Sequence, residues 1–326
     1  MSPGKRVSIS APASVGILGD PGDLFGGAVL ACGLGVRVTA TTAESNGLEI
    51  QYGQRAQVIR WAGDLKCQGD DLDAVRVTLE YLNWGMEAAQ IICSGGPERG
   101  WGLGDYAPGL VSLLATLCAW RGQDATPHKL AESAYRLERE ALGHTGSLAA
   151  AYVAAFGGLC FLEFHGRGGP NCSGKVYGSV EQLSPLVPRL PLAVAHMGAG
   201  RPARDAVAGL RERWLAGDAV VVEAYTIINQ LAQEGKKALL DGDWATLGRL
   251  MSENAIIQSN LTAVDPASEE LVEVALRAGA LGVRPLGAGE CGSVVALHPQ
   301  PEEVVRVWES AGAEIIPIAY LEGTNG

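Results

Sequence analysis

Three glycine-rich stretches carry the residues of this 326-residue sequence that could hold a ligand. They are residues 11–23 (APASVGILGDPGD), residues 97–104 (PERGWGLG) and residues 286–292 (LGAGECG). The backbone N–H groups of a glycine loop beside a helix or strand can surround a phosphate or carboxylate oxygen. Each loop taken alone is more typical of an ordinary turn, and both interpretations stay open.

Carboxylates in the first stretch suggest a second kind of chemistry. Asp20 and Asp23 flank a Pro-Gly pair, and Gly26 and Gly27 close the stretch. Ionised carboxylates accept hydrogen bonds from neighbouring hydroxyl groups, as a sugar site requires, although both residues could equally be turn residues. Arg201 follows a short glycine run, where it could hold an anion at a helix start or be an exposed arginine.

Strands and helices must position these loops, and their patterns alternate along the chain. The first half predicts strands at residues 7–10, 36–41, 48–52, 91–93 and 159–164, and helices at 72–82, 110–120, 127–142 and 147–156. The second half predicts strands at residues 192–196, 294–297 and 315–318, and helices at 203–215, 219–240, 244–261, 268–277 and 301–311. Strands with segregated helices predict an α+β protein, with one domain over residues 1–187 and another over residues 188–326.

The composition argues against several classes of protein. Hydrophobic residues make up 47% of the chain and charged residues 19%, so the chain can bury a core. A net charge of −11 without a lysine and arginine cluster argues against a nucleic-acid partner. We find no apolar run long enough for a bilayer and no signal peptide, and we expect no membrane partner. Seven scattered cysteines without a Cys-x-x-Cys pair indicate reduced thiols in a cytoplasmic protein.

The order and spacing of the three glycine-rich loops resemble the kinases of the galactokinase, homoserine kinase, mevalonate kinase and phosphomevalonate kinase (GHMP) superfamily. Residues 280–289 resemble the approach to the third signature motif in heptose-phosphate and uronic-acid kinases. Residues 20–23, 211–218 and 250–254 resemble plant-type glucuronokinase. The resemblance covers most of the chain and implies a two-lobed GHMP kinase fold, with the three loops lining a cleft between the lobes.

The resemblance also implies roles for the loops. The second and third loops would hold ATP with Mg²⁺, and the first would meet the sugar. The implied nucleotide-binding residues are Gly102, Leu103, Gly104, Asp105, Gly287, Ala288 and Gly289. The implied substrate-binding residues are Asp20, Asp23, Gly26, Gly27 and Arg201. Trp101 and Tyr106 would cover an adenine or fill a pocket that ATP no longer uses. His144, His165 and His196 are further polar candidates, with His165 expected in a loop and His196 at the satisfied end of a core strand.

The catalytic positions of the family are substituted in this sequence. Ser14 stands where the first motif usually has arginine or lysine, and Ala150 stands where the catalytic aspartate is expected. Asp105 and Tyr106 replace paired serines, and Glu290 and Cys291 interrupt the third motif. One extra negative charge about 4 Å from a phosphate costs roughly 4 kcal/mol at an effective dielectric near 20. Asp105 could instead ligate Mg²⁺, because hard cations prefer carboxylate oxygens.

Two functions therefore remain open on the sequence. The first is a GHMP-fold protein that binds a sugar or sugar acid but has lost ordinary ATP phosphotransfer, so that it needs no cofactor. The second is an active ATP- and Mg²⁺-dependent kinase of a uronic acid or heptose-type sugar that uses substituted residues. A homo-oligomer or a pairing with an active homologue is compatible with either function.

Overall fold

The computed structural model describes residues 5–166, 177–198 and 204–318 as an α+β molecule with two β-sheets, the side chains of residues 204–206 excepted. The larger sheet has the strand order β4-β3-β5-β2-β6-β7, with β1 paired to β2. Its strands are β1 Arg6–Leu18, β2 Ala28–Ala43, β3 Leu48–Tyr52, β4 Arg55–Ile59, β5 Ala89–Gly95, β6 Leu159–Glu163 and β7 Ser179–Gln182. The smaller sheet has the order β11-β8-β10-β9. Its strands are β8 Leu192–His196, β9 Gly282–Pro285, β10 Ser293–Leu297 and β11 Glu314–Ile316.

Nine α-helices of the described residues cover these sheets. The first four are α1 Asp73–Tyr81, α2 Ala107–Trp120, α3 Pro127–Arg136 and α4 Leu148–Phe156, and a π-helical turn, Leu137–Ala141, extends α3. The other five are α5 Arg204–Leu215, α6 Ala219–Asp241, α7 Trp244–Ser259, α8 Pro266–Arg277 and α9 Pro301–Ser310. No helix in the described ranges combines the length and the apolarity that crossing a bilayer would need.

The first glycine-rich stretch is mostly strand, so the prediction of a loop over residues 11–23 is wrong in its first half. β1 continues to Leu18 and pairs with β2, with register irregularities on either side of the segment from Ser14 to Gly16. Residues 11–15 of β1 are all buried, because helices cover one face of the strand and the smaller sheet covers the other. Only the residues after Leu18 turn, through a 3₁₀ segment at Gly22–Phe25.

One hydrophobic core reaches from the larger sheet to the smaller sheet. Val15 and Leu30 of the larger sheet belong to the same buried cluster as Val194 and Val295 of the smaller sheet. A second cluster lies between the larger sheet and α1 to α4. The two sheets separate along the chain between β7 and β8, and the predicted domain division after residue 187 falls in that connection. That division stays a prediction.

The predicted elements agree with most of the structure, but the sequence missed three strands. β4, β7 and β9 were not predicted, because each is short and has few apolar residues in alternation. The start of α3 is as expected, with the Thr126 hydroxyl accepting a hydrogen bond from the backbone N–H of Lys129 at 3.4 Å.

Candidate functional site

A cavity of about 230 Å³ lies where β1, the turn after it, the second glycine-rich loop, the π-helical turn and the start of α4 meet. Its wall contains residues from all three glycine-rich stretches: Ser14, Gly16 and Asp20 from the first, Gly102 and Gly104 from the second, and Gly287 from the third. The tertiary structure thus brings the three stretches to one place, as their order along the chain predicted.

Ser14, Gly104 and Ala150 form one wall of this cavity. The backbone N–H of Ser14 donates to the carbonyl of Leu103 at 3.1 Å, which ties β1 to the second loop. Gly104 has φ +85°, and a Cβ built on it would lie 3.0 Å from the Cβ of Ala150 and 3.3 Å from the Oγ of Ser14. Gly104 therefore lies close to two of the substituted positions, Ser14 and Ala150.

Arg284 on β9, a strand of the smaller sheet, forms hydrogen bonds to the turn after β1. Its side chain is fully buried and donates to the carbonyls of Gly16 and Asp20, both at 2.8 Å. It also donates to the side-chain oxygen of Gln258 at 3.3 Å. Burial lowers the pKa of Arg284, and the negative charge of Asp20 opposes this change.

Asp20 lies in the cavity wall and is half-buried, while Asp23 lies behind the wall and is buried. The Asp23 carboxylate accepts hydrogen bonds from the Ser147 hydroxyl at 3.0 Å and from the backbone N–H of Ala149 at 3.1 Å. Burial and then repulsion by Asp20 raise the pKa of Asp23 to about 6, against these hydrogen bonds. Burial also raises the pKa of Asp20, although Arg284 acts in the opposite direction.

Asp105 folds its carboxylate back over the second loop. Its Oδ2 accepts the backbone N–H of Gly100 at 2.9 Å, while its Oδ1 is buried without a hydrogen-bond partner among the described residues. Burial raises the pKa of Asp105, and the backbone N–H groups of Gly100 and Gly102 and the charge of Arg99 act against that rise. The backbone N–H group of Gly100 in this loop is therefore bound to a carboxylate that belongs to the chain itself.

Arg99, Tyr106 and His144 form a three-layer stack at the edge of the cavity. The guanidinium carbon of Arg99 lies 4.3 Å from the centre of the Tyr106 ring, whose other neighbour is the His144 ring at 4.3 Å. Arg99 also donates to Asp71 at 2.6 Å. A second cavity of about 350 Å³ lies beyond the stack and shares these three residues with the first.

Glu138, in the π-helical turn, is a cavity residue that the sequence analysis missed. Its side chain is 7% exposed and lines the cavity. Burial, followed by repulsion from Asp105 and Asp23, raises the pKa of Glu138 to about 8. The sequence contained a sign of this role. Glu138 continues the buried helical stripe of Ala131 and Ala134, where a charged residue is unusual.

Several predicted site residues lie away from the cavity wall. Leu103 and Ala288 are fully buried, and Gly26 and Gly27 end the 3₁₀ segment behind Asp23. The carbonyl of Gly289 accepts the N–H of Asp265. Arg201 lies outside the described residues. The roles assigned to these positions stay predictions.

Trp101, His196 and His165, three of the aromatic and histidine candidates, lie outside the cavity wall. Trp101 is 8% exposed and stacks on His196 at 4.0 Å, so it packs in the core. The two ring nitrogens of His196 lie 3.0 Å from the Ser293 hydroxyl and 3.2 Å from the Gly198 carbonyl, as expected for the satisfied end of a core strand. His165 lies in an exposed turn beside Glu163.

The acidic side chains could assist in holding a metal ion but do not enclose one. Among the residues that the structure describes, no group of three or more histidine, cysteine or carboxylate side chains is arranged to bind a metal. Mg²⁺ commonly takes only one or two protein carboxylates and completes its shell with water and substrate phosphates. Asp105 and Glu138 fit such a limited role, since the Asp105 Oδ1 lacks a partner and Glu138 lines the cavity.

The comparisons with known proteins find similarity to GHMP kinases, the superfamily that the sequence resembles. The model of the GHMP kinases C terminal family matches residues 236–314. The mevalonate kinase of Methanothermobacter thermautotrophicus is 26% identical over 314 residues, which cover 95% of this chain and 97% of that enzyme. Glucuronokinase 1 of Arabidopsis thaliana is 33% identical over 116 residues, 33% of this chain and 31% of that protein.

The likeness extends to solved structures. The galactokinase of Lactococcus lactis, solved in complex with galactose, superposes with a TM-score of 0.79 at 14% identity and covers 98% of this chain and 95% of that chain. At this identity the match shows the fold alone. The predicted α+β class and two-lobed GHMP kinase fold are confirmed.

Proposed function

We propose that this member of the GHMP kinase superfamily binds a small hydroxylated molecule of the sugar class. We also propose that it does not carry out ordinary ATP phosphotransfer. One observation carries the second half of this proposal. The carboxylate of Asp105 accepts the Gly100 N–H of the loop that would otherwise surround a phosphate.

A phosphate oxygen and the Asp105 carboxylate compete for the same donors. Backbone N–H groups of a glycine loop bind an anion by direct hydrogen bonds and by their oriented dipoles. In this chain the N–H groups of Gly100 and Gly102 already stabilise the charge of Asp105. A triphosphate would have to displace that carboxylate from the loop, and the two negative charges would still repel each other. This repulsion is roughly 4 kcal/mol for one charge at about 4 Å.

The wall formed by Ser14, Gly104 and Ala150 supports the same conclusion. Phosphoryl transfer depends on positioning and on stabilising the charge of the transferred group, with a side chain that orients or accepts the proton of the attacking hydroxyl. The methyl group of Ala150 cannot accept a proton, and the hydroxyl of Ser14 carries no charge. The resemblance places the catalytic aspartate and the cation of the family at these two positions.

The sugar-binding half of the proposal depends on the other side of the cavity. Asp20, Glu138, Ser147 and Thr145 supply oxygens to a wall that also contains apolar side chains. Closely spaced hydroxyl and carboxylate groups can accept and donate hydrogen bonds to vicinal hydroxyls. The named substrates of similar proteins, galactose and mevalonate among them, are small hydroxylated molecules.

An active ATP-dependent kinase is the second candidate function. It is favoured by the unpartnered Oδ1 of Asp105 and by Glu138, which could together hold Mg²⁺ against substrate phosphates. In that arrangement the metal would supply the positive charge that Ser14 lacks. The distinction between the two functions therefore depends on whether Asp105 repels the nucleotide or ligates its metal.

Calorimetric titration with Mg-ATP separates these functions. We expect no micromolar binding by the unmodified protein, where a dissociation constant of 1 μM corresponds to about −8 kcal/mol. Asp105→Ser should bind Mg-ATP at least tenfold more tightly, because it frees the donors of the loop. Asp124→Ser, a change at an exposed position far along the chain from the cavity loops, is the matched control and should bind as the unmodified protein does.

A transfer assay completes the test. The unmodified protein, supplied with Mg-ATP and a panel containing mevalonate, galactose and glucuronate, should form no phosphorylated product. Turnover of any panel member would overturn the proposal and establish the kinase function. Ser14→Arg, Asp105→Ser and Ala150→Asp together should restore measurable transfer where single changes do not, because residues that act as a unit are strongly non-additive.

A further inference from the structure

We propose that the hydroxylated ligand of this cavity carries a positive charge, as the ammonium group of an amino sugar does. This inference rests on the proposed function and makes it more specific. The basis is that two carboxylates from different elements of the fold, Glu138 and Asp105, face one small cavity, and neither forms an ion pair within the described residues.

The cavity is the size of one small ring-shaped molecule. Its volume is about 230 Å³. A protein cavity of about 150 Å³ holds benzene, so this cavity has room for a six-membered ring with several substituents. A ligand of this size must contact most of the wall, and its charge must therefore be compatible with the charges of the wall.

Glu138 is the central residue of the site. Its side chain is more than nine-tenths buried and lines the cavity. Within the described ranges, its carboxylate has neither a hydrogen-bond donor nor a cationic partner. A buried carboxylate in this position is costly unless a donor or a cation faces it, and a ligand can supply either.

Asp105 adds a second carboxylate with spare acceptor capacity. Its Oδ2 is occupied by Gly100, and its Oδ1 is buried with no partner in the part of the chain that the structure describes. Its charge is felt at Glu138, so the two carboxylates repel each other across the site. Asp20 is a third carboxylate of the wall, and the buried Arg284 offsets its charge.

The cationic side chain of the wall does not balance these charges. Arg99 is the one arginine or lysine among the described lining residues, and it is bound to Asp71 at 2.6 Å and stacked on Tyr106. An ammonium group offers three hydrogen-bond donors and a full positive charge, so it can donate to Glu138 and offset the negative charge of Asp105. A carboxylate in the same position would add a further repulsion, which argues against a sugar acid.

The test compares matched ligands that differ only in charge. Binding of D-glucosamine, D-glucose and D-glucuronate, and of the corresponding galactose series, is measured by calorimetry at pH 6.5 to about 7 without divalent cations. We expect the amino sugar of at least one series to bind at least tenfold more tightly than its neutral counterpart, a difference of about 1.4 kcal/mol. The uronate should bind more weakly than both.

Variants assign the preference to the carboxylates. Glu138→Gln keeps the shape and much of the hydrogen-bonding capacity but cannot ionise when an ammonium group faces it, so the amino sugar should lose its advantage while the neutral sugar keeps its affinity. Glu140→Gln, an exposed change in the same π-helical turn, is the matched control and should retain the full preference. A folded Glu138→Gln variant is verified by its thermal unfolding transition.

Each outcome separates this inference from the function on which it rests. Tighter binding of a neutral sugar or a uronate than of the amino sugar would overturn the inference and leave sugar binding intact. Binding of no panel member would overturn the sugar-binding half of the proposed function itself, and the inference with it. If Mg²⁺ alone stabilises the protein and no amino sugar does so, the two carboxylates hold a metal and the inference is wrong.

Discussion

Replacing the buried arginine of the smaller sheet should destabilise the protein more than any change of a surface charge. In Arg284→Met, the long apolar side chain fills most of the volume, but the carbonyls of Gly16 and Asp20 lose donors that now lie 2.8 Å away. The carboxylate of Asp20 also loses its opposing charge. The change therefore removes both the hydrogen bonds and the cation that fix the turn after β1.

The expected loss can be estimated from these contacts. A hydrogen bond from a charged group contributes about 1.5–3 kcal/mol, and leaving a buried carbonyl without its donor costs about 1–3 kcal/mol. Because these contributions overlap, we expect a loss of about 4 kcal/mol in the free energy of unfolding. An unfolding entropy of about 2.1 cal/mol/K per residue gives roughly 0.7 kcal/mol/K for this chain, so the Tm should fall by about 6 °C.

The assay is urea and thermal unfolding followed by circular dichroism, with Arg277→Met as the matched control. Arg277 lies at the exposed end of α8, where its side chain is 74% exposed and pairs with Glu273. Such a pair contributes at most about 1 kcal/mol, so the control should change the Tm by a degree or two. A loss of less than about 1 kcal/mol in Arg284→Met would refute the role assigned to this arginine.

Three further changes test the surroundings of the cavity. Gly104→Ala should lower the free energy of unfolding by about 1–3 kcal/mol, and Gly122→Ala should lower it less. Both glycines have positive φ, but only a Cβ at position 104 would lie 3.0 Å from the Cβ of Ala150. Equal losses of the two variants in chemical denaturation would contradict this packing. The pKa of Asp23 is raised from 3.8 to about 6, so its ionisation destabilises the fold as the pH rises through that window. Asp23→Asn should therefore be more stable than the unmodified protein at pH 7, by at most about 3 kcal/mol, and equally stable near pH 4; no change in the pH profile would contradict the shift. Ser147→Ala should lose about 1–2 kcal/mol in thermal unfolding, because the hydroxyl both caps α4 and donates to Asp23.

Local chemistry made much of the fold predictable from sequence. Thr126 followed by proline marks the start of α3, and the hydroxyl of Ser147 caps α4 within one residue of the predicted start. These signals depend on residues within one helical turn, so a single sequence contains them completely. The three glycine-rich stretches could be recognised in the same way, and their order implied the family.

Short strands were less predictable, since their partners lie elsewhere in the chain. β9 has only four residues and is held by β10 on one side and by the α7 and α8 helices. The first half of the first glycine-rich stretch became a strand for the same reason, because β2 pairs with it, with two register irregularities, as far as Leu18. Propensity within the segment could not reveal that ladder.

The sequence by itself predicted the class of fold and indicated the family, and that resemblance implied that Ser14, Asp105 and Ala150 stand at substituted positions. Only the tertiary structure decided that Glu138 faces the same cavity and that Asp105 turns its carboxylate onto its own loop. The physical reason is that the charge environment of a carboxylate depends on groups brought together across many residues of separation. Composition and spacing specify which groups exist, but burial and proximity set their pKa values and their partners.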